Sequence, residues 1–358
     1  MKIGIMTFHW AANYGAVLQA YALQKYLESK GYEACIINYI PYTYAKSFFK
    51  CLSTPNPFKI YINILEYYRD KKIEDFRNKN FRRTQKYNSI EELQSDYPKC
   101  DVYICGSDQV WNPNFTLKGE NKPTFSYFLN FGNEQVVRLS YAASFGCEEY
   151  PSELLDDVKS MLLKFKDLSV REKTGQKILQ IMGIHDANIL CDPSMLLNQN
   201  EYLKFTSNHI LNDHKVFIYS LHKKQKKIIH ISNQLSKQYK IQHVGFKKFP
   251  ILSVESWLSS FNNSKFVVTN SFHGVIFAII FQKNFIAVPV EGAWSGMNDR
   301  MYTLLENLDL CDRLIVNENI SDVQKKLYKS IDWVLVENKI SNLRNKTELF
   351  FNNNLKKI

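Results

Sequence analysis

The sequence predicts an α/β protein with two parallel sheets, each built from strands that alternate with helices. The chain has 358 residues, which is more than one ordinary core holds and fits two domains. Its composition is 45% hydrophobic, as expected of a packed globular protein. Short apolar runs are repeatedly followed by a polar turn and then by a segment whose apolar residues have helical spacing. One such run is Phe266–Thr269, which is followed by the turn residues Asn270 and Ser271.

The chain opens with a βαβ unit. Residues 2–7 form an apolar run that predicts a strand, and residues 16–27 carry apolar side chains at helical spacing. Gly31 suits the left-handed residue that ends a helix, and residues 34–39 predict the second strand. The loop after the first strand therefore lies at the carboxyl edge of the sheet, where α/β proteins bind ligands.

A basic and aromatic segment interrupts this pattern between residues 41 and 87. Its spacing predicts helices at residues 59–69 and 72–82, and we see no clear strand pattern in it. A lid, a substrate-binding arm and a membrane-facing patch all remain open for this insert. Strands at residues 102–105 and 140–145 then complete the first sheet.

The second half of the chain repeats the alternation of strand and helix. Further strands are predicted at residues 167–170, 188–193, 216–220, 241–246, 266–269 and 285–289. We divide the chain into an N-terminal domain at residues 1–150, with its helical insert at about 41–90, and a C-terminal domain at residues 151–320. A helical tail at residues 321–358 is expected to pack back on them.

The turn before the most apolar helix carries the first candidate site. Ser271 suits the N-cap of that helix, and Gly274 would let a ligand approach the backbone closely. Exposed N–H groups and the helix dipole favour an anion there. His273 can carry a charge or move a proton near neutral pH, although a capping role without a ligand is the alternative.

The formal net charge of +11 indicates attraction to anionic partners. Lysine runs at residues 223–227, 247–248 and 356–357 lack the interleaving of a nucleic-acid module, so nucleic acid is not a predicted partner. The seven cysteines contain no CxxC pair, which argues against zinc, and we predict no metal site. Reduced cysteines fit a cytoplasmic protein, and no apolar run is long enough to span a membrane.

Five motifs, in this order along the chain, resemble those of the polysaccharide pyruvyl transferase family. They lie at residues 4–19, 106–112, 169–172, 191–193 and 270–274. The last of them reads Asn-Ser-Phe-His-Gly, and the second reads Gly-Ser-Asp-Gln-Val-Trp-Asn. Each motif is weak by itself, whereas five in order make a strong match from Lys2 to about Leu310.

The resemblance implies two Rossmann-like domains that face each other across a cleft, in a GT-B-like α/β fold. It implies transfer of the enolpyruvyl unit of phosphoenolpyruvate, as a cyclic ketal, onto a sugar of a bacterial surface polysaccharide or lipid-linked glycan intermediate. Phosphoenolpyruvate is the donor substrate, and no cofactor is implied. The expected location is the cytoplasm, with peripheral association at the inner face of the plasma membrane.

By resemblance, Arg171 and His273 bind phosphoenolpyruvate, and a planar guanidinium suits its carboxylate or phosphate. Two positions depart from the family pattern. Many members carry an arginine where Ser271 stands, and members of known activity carry a lysine near residues 288–291, where this chain has none. Arg300, at the start of the next predicted helix, is the candidate that restores the positive charge.

The chemistry requires an acid for the enol carbon and a base for the acceptor hydroxyl. His273 is the candidate acid, with a carboxylic acid as the alternative. Asp108 is the candidate base, with turn capping as its alternative role. Acceptor contacts are predicted in the first loop and at two tryptophans, namely Asn13, Tyr14, Gln19, Trp111 and Trp294. Both tryptophans could instead pack in a core.

Two other functions remain open from the sequence. A GT-B-type glycosyltransferase that uses a nucleotide sugar would share the expected fold. A non-catalytic glycan-binding relative would fit the replacements at Ser271 and Val290.

Overall fold

A computed structural model of the protein describes residues 1–45, 52–116, 119–120, 124–206, 215–221, 225–245, 250–315 and 319–356. Several residues of the predicted strands and lysine runs lie outside this set, namely Lys223, Lys224, Phe246, Lys247, Lys248 and Lys357.

The chain forms two compact units whose boundaries differ from the predicted domains. Unit 1 comprises Met1–Lys46, Arg77–Leu196 and Asn342–Ile358, and unit 2 comprises Ser47–Phe76 and Leu197–Ser341. Residues 151–196, which we assigned to the C-terminal domain, therefore belong to unit 1. The predicted tail at 321–358 is divided between the two units. The sequence could not predict this division, because helical periodicity does not reveal which core a helix will join.

Unit 1 contains a parallel five-stranded sheet in the order β3-β2-β1-β4-β5. Its strands are β1 Lys2–Met6, β2 Glu33–Tyr39, β3 Arg83–Tyr87, β4 Val102–Cys105 and β5 Val137–Ser140. A parallel pair, β6 Ser169–Val170 and β7 Asn188–Ile189, continues beyond β5 through bridges from Leu139 and Ala143. The predicted parallel α/β architecture is confirmed here.

The strand predictions fail at two places in unit 1. β3 has the polar sequence Arg-Thr-Gln-Lys-Tyr and lies at the sheet edge, where exposed side chains remove the apolar signal. The strand predicted at residues 140–145 forms at β5 instead. Beyond it, Ala143 makes single bridges to Asp108 and Val170.

Helices cover the sheet of unit 1 and bury its core. They are α1 Tyr14–Ser29, α3 Ile90–Ser95, α4 Pro113–Thr116, α5 Leu155–Leu162, α6 Lys173–Ile181 and the C-terminal part of α13 Trp333–Leu355. The α13 segment is held by Phe351, whose ring stacks on Tyr141 at 5.1 Å between centroids. The Tyr141 and Thr347 hydroxyls lie 3.0 Å apart, so packing and a hydrogen bond both fix this helix.

Unit 2 contains a parallel four-stranded sheet in the order β11-β10-β8-β9. Its strands are β8 Val216–Ser220, β9 Ile241–Gly245, β10 Phe266–Thr269 and β11 Asn284–Ala287. Its helices include α7 Gln199–Leu203, α8 Lys226–Leu235, α9 Val254–Asn263, α10 Phe272–Ile280, α11 Asp299–Asn307 and α12 Ile320–Tyr328. The strand–turn–helix–strand unit around β10, predicted from the sequence, is confirmed.

A single helix, α2 Pro57–Asn80, replaces the two helices predicted in the insert. No proline or glycine follows Pro57 within it, so nothing local interrupts its hydrogen bonds. Most of α2 belongs to unit 2, and its last four residues belong to unit 1. Among the described residues, no helix is long and apolar enough to cross a membrane.

Candidate functional site

Polar and charged residues follow several neighbouring strands at the carboxyl edge of the sheet in unit 1. Ser107 and Asp108 come after β4, Arg171 and Glu172 come after β6, and Asp192 comes after β7. Parallel strands bring their carboxyl ends to one edge, so these five side chains converge although they span 86 positions of sequence (from 107 to 192).

Arg171 is the centre of this group, and its side chain is 1% exposed. Its Nη1 donates to Asp192 Oδ2 at 2.6 Å and to Ser107 Oγ at 3.2 Å. The Asp108 carboxylate lies 3.7 Å from Nη2, and the Glu172 carboxylate lies 3.9 Å from Nε. The guanidinium is thus held by ion pairs inside unit 1, whereas we had placed Arg171 with His273 in one domain.

The charges of this group bear on the predicted role of Arg171. One guanidinium and three carboxylates sum to two negative charges, so these four groups do not by themselves favour a further anion. Ser107 also donates to Asp192 Oδ2, at 3.1 Å, which adds a neutral donor to the same carboxylate. Asp192 Oδ1 accepts a bond from the Ser194 N–H, so Asp192 also caps the turn that follows it.

Asp108 is the most accessible of the three carboxylates, with 11% of its side chain exposed against 2% for Glu172 and none for Asp192. Its backbone is left-handed, with φ of 76°, which is uncommon for a residue with a side chain. Its Oδ1 accepts a bond from the Gln109 N–H at 2.9 Å. Asp108 therefore caps its own turn and lies beside the Arg171 guanidinium.

The first loop contributes hydrogen bonds that connect α1 to this group. Asn13 is the N-cap of α1, and its Oδ1 accepts from the Gly15 N–H at 3.0 Å. Gln19 is fully buried and donates to Thr7 Oγ1 at 2.8 Å, and Thr7 donates to the Ser107 carbonyl at 2.8 Å. Tyr14 is also buried, so the three predicted acceptor residues lie mainly within the loop framework.

Trp111, predicted as a sugar platform or a core residue, belongs to the core. It has no exposed surface, its ring stacks on Phe128 at an angle of 4°, and its Nε1 donates to the Tyr127 carbonyl at 3.2 Å. A sugar-stacking ring needs at least one accessible face, and Trp111 has none, so the structure corrects this assignment. The polar turn residues of its motif predict an exposed loop, and they do not indicate that other side chains bury Trp111.

Trp10, an aromatic residue of the first loop, was not predicted as a site residue. Trp10 is half-buried, stacks on Tyr44 at 4.5 Å between centroids, and donates from Nε1 to the Tyr127 hydroxyl at 3.0 Å. Its neighbour His9 is fully buried, and burial lowers the pKa of His9 to about 4 despite a hydrogen bond between His9 Nε2 and Asn38 Oδ1 at 3.1 Å. A neutral His9 is therefore part of the loop framework.

The carboxyl edge of unit 2 carries the predicted anion site. Ser271 caps α10, with its Oγ accepting from the Gly274 N–H at 3.2 Å, as predicted. Thr269 Oγ1 accepts from the Ser271 N–H at 3.0 Å and donates to the Tyr219 carbonyl at 2.7 Å. A Cβ on Gly274 would lie 2.2 Å from Thr269 Oγ1, so only glycine fits this close turn.

His273 and Arg300 flank the same phenylalanine at this edge. The His273 ring meets Phe272 edge to face at 5.3 Å, and the Arg300 guanidinium lies 5.5 Å from the Phe272 centroid. Arg300 Nε donates to the Met297 carbonyl at 3.1 Å. The structure thus brings both residues to Phe272 at the N-termini of α10 and α11, where they are buried, with 6% of His273 and 7% of Arg300 exposed.

Two asparagines fix the loops around this edge, and neither was predicted as a site residue. Asn270 accepts from the Leu221 N–H at 2.7 Å and donates to the Leu221 carbonyl at 2.8 Å. Asn298 makes the same pair of bonds with Val290, at 2.8 and 2.9 Å. Trp294 lies in the 3-10 helix Gly292–Asn298 and is 41% exposed, so it remains accessible to a ligand.

Within the residues that the structure describes, no group of three or more His, Cys, Asp or Glu side chains could hold a metal ion. Two separate sets of candidate residues result, one in each unit. The carboxylate set is Asp108, Glu172 and Asp192 around Arg171 in unit 1. The anion set is Ser271, His273, Gly274 and Arg300 in unit 2.

Comparisons with solved structures show the fold class. A UDP-GlcNAc 2-epimerase from Methanocaldococcus jannaschii matches with a TM-score of 0.50 at 16% identity, over 98% of this chain and 100% of that chain. Another UDP-N-acetylglucosamine 2-epimerase matches with a TM-score of 0.50 at 10% identity, over 98% and 95% of the two chains. Such neighbours have the GT-B fold, so the predicted GT-B-like α/β class is confirmed.

A search of curated proteins finds no match. A sequence model described as polysaccharide pyruvyl transferase matches residues 13–292, which is most of the chain and includes Asp108, Arg171 and His273. This chain belongs to the polysaccharide pyruvyl transferase family.

Proposed function

We propose that this protein transfers the pyruvyl unit of phosphoenolpyruvate onto a sugar of a bacterial surface polysaccharide or its lipid-linked intermediate. The observation that carries the proposal is the anion set of unit 2 in a chain of this family. His273 and Arg300 lie beside a helix N-terminus at the carboxyl edge of a parallel sheet, where backbone N–H groups favour a phosphate.

In the proposed reaction, two hydroxyls of one sugar form two C–O bonds to C2 of the donor, and the C2–O bond to phosphate breaks. One hydroxyl proton ends on C3, which becomes a methyl group, and the other leaves with phosphate. His273 is the proposed acid at C3, and Arg300 balances the charge of the phosphate as it leaves. Asp108, the most accessible of the three carboxylates around Arg171, is the proposed base.

The donor-binding role of Arg171 stays a prediction, because its guanidinium is already paired with carboxylates. Arg171→Lys separates two roles, since lysine keeps the charge beside Asp192 but loses the planar fork. A raised KM for phosphoenolpyruvate in a stable R171K variant would support donor contact. An unchanged KM would assign Arg171 to positioning Asp108.

Donor identity is tested by measuring binding to the full chain. We expect phosphoenolpyruvate, and not UDP-N-acetylglucosamine, to raise the melting temperature of the wild-type protein. His273→Ala and Arg300→Met should each remove this shift, whereas His230→Ala, an exposed histidine on α8 of the same unit, should keep it. A shift with the nucleotide sugar alone would favour a glycosyltransferase, and no shift with either would favour a non-catalytic relative.

We further propose that the enzyme works in the cytoplasm at the inner face of the plasma membrane, where a lipid-linked acceptor would be available. The net charge of +11 supports attraction to an anionic membrane surface. Fractionation of cells that express the protein tests this, with the enzyme expected in a membrane fraction that high salt releases.

A further inference from the structure

The N-terminal end of α2 exposes large apolar side chains in unit 2. Phe58 is 67% exposed and Tyr61 is 48% exposed, and the two lie three residues apart, as neighbours on the helix surface. None of residues 57–64 is buried, whereas Leu65 has only 3% of its surface exposed. We call residues 57–64 the α2 tip.

The remainder of α2 in unit 2 is firmly packed. Arg69 Nη2 donates to the Gly245 carbonyl at 3.4 Å, and Lys72 Nζ donates to the Ile251 carbonyl at 2.7 Å. The buried Phe76 ring meets Phe205 edge to face at 5.1 Å. A well-anchored helix therefore carries the α2 tip, where Phe58 and Tyr61 keep 67% and 48% of their surface in solvent.

The sequence around the tip is free of acidic residues. No aspartate or glutamate occurs between Glu33 and Glu66, and the exposed Lys59 lies between Phe58 and Tyr61. The most exposed large apolar residue that the structure describes in unit 2, Val334 at 75%, stands in α13, where Glu337 follows within a turn. Aromatic rings beside a lysine, with no acidic residue near them in sequence, suit the surface of a lipid bilayer, which has an apolar interior and anionic headgroups.

We propose that the α2 tip docks the protein on an anionic lipid bilayer. Phe58 enters the boundary between headgroups and acyl chains, Tyr61 lies at headgroup level, and Lys59 contacts lipid phosphates. The choice of a membrane over a second protein rests on this charge pattern and on the net charge of +11. The inference does not depend on the donor chemistry, because docking requires no substrate.

Vesicle co-sedimentation of the full chain tests the proposal without any substrate. We expect binding to vesicles with about 30% phosphatidylglycerol, little binding to pure phosphatidylcholine, and release at about 0.5 M salt. The double variant Phe58→Glu, Tyr61→Glu should bind about tenfold or more weakly. Because both side chains are exposed, its thermal denaturation should match that of the wild type.

A matched control is the double variant Val334→Glu, Leu335→Glu, which changes the charge equally at two exposed apolar residues of unit 2, at 75% and 47%. This control should keep most of the vesicle binding. Equal loss in both double variants would overturn the proposal, because net charge alone would then explain binding. The proposal would also be overturned if the wild-type protein did not bind anionic vesicles and instead formed a dimer that the F58E/Y61E variant does not form.

Discussion

Replacing Arg171 should cost far more stability than replacing the carboxylate that it holds most closely. Arg171→Met leaves Asp108, Glu172 and Asp192 without their shared guanidinium, and two of these carboxylates are at most 2% exposed. Breaking a buried ion pair by removing one partner costs about 3–5 kcal/mol. Asp192→Asn instead keeps a hydrogen-bond acceptor beside Arg171, which retains carboxylates at 3.7 and 3.9 Å, so we expect about 1–2 kcal/mol.

Urea denaturation of both variants at neutral pH, followed by circular dichroism, measures this difference. The free energy of unfolding should fall by about 2–3 kcal/mol more in R171M than in D192N. Equal costs, or a stable R171M, would refute the charge argument and return Arg171 to a purely ligand-binding role. From the sequence alone, we expect replacement of Arg171 to abolish pyruvyl transfer only. The buried ion pairs in the structure add a loss of folding stability.

Three further predictions concern turns, pH and helix docking. Gly274→Ala should destabilise unit 2 by about 1–3 kcal/mol through the contact with Thr269, and a second change of Thr269→Ala should restore part of the melting temperature. The pKa of His9 is about 4 when folded and 6.5 in the unfolded chain, so the unfolded state binds more protons between these values. Stability should therefore fall by about 3 kcal/mol as pH drops from 6.5 to 4, and a His9→Gln variant should show a flatter pH profile of unfolding. Phe351→Ala should lower stability by about 3–5 kcal/mol in chemical denaturation because it removes the ring stacked on Tyr141, and an unchanged midpoint would contradict the docking of α13.

The parts of the fold that follow from local patterns could be predicted from the sequence. β10, the Ser271 cap and α10 follow from a β-branched run, a capping residue and an apolar helix, and each needs only neighbours in sequence. The edge strand β3 was missed because its exposed side chains are polar on both faces. Residues 151–196 were assigned to the wrong core because contact with unit 1 is made through tertiary packing.

The candidate site shows the same division between local and tertiary information. His273 and Gly274 could be predicted as candidates because the start of a helix is a local feature. Arg300 was predicted as a candidate because this chain lacks two basic residues of the family pattern. The carboxylate set was not foreseen as a cluster, since Asp192 and Arg171 are 21 residues apart and meet only through strand order. From the sequence, Trp111 was predicted to lie in a loop. Its burial depends on Phe128, which stacks on it only in the folded chain.

The most direct measurement is phosphate release from phosphoenolpyruvate by the purified protein in the presence of a panel of saccharide acceptors, with mass spectrometry of the products. We expect release that depends on an acceptor, one pyruvyl ketal per phosphate released, and loss of both signals in His273→Ala but not in His230→Ala. Acceptor-dependent release that survives in His273→Ala would contradict the proposed donor site. A saccharide that gains a sugar from a nucleotide donor, with phosphoenolpyruvate left intact, would contradict the proposed function itself.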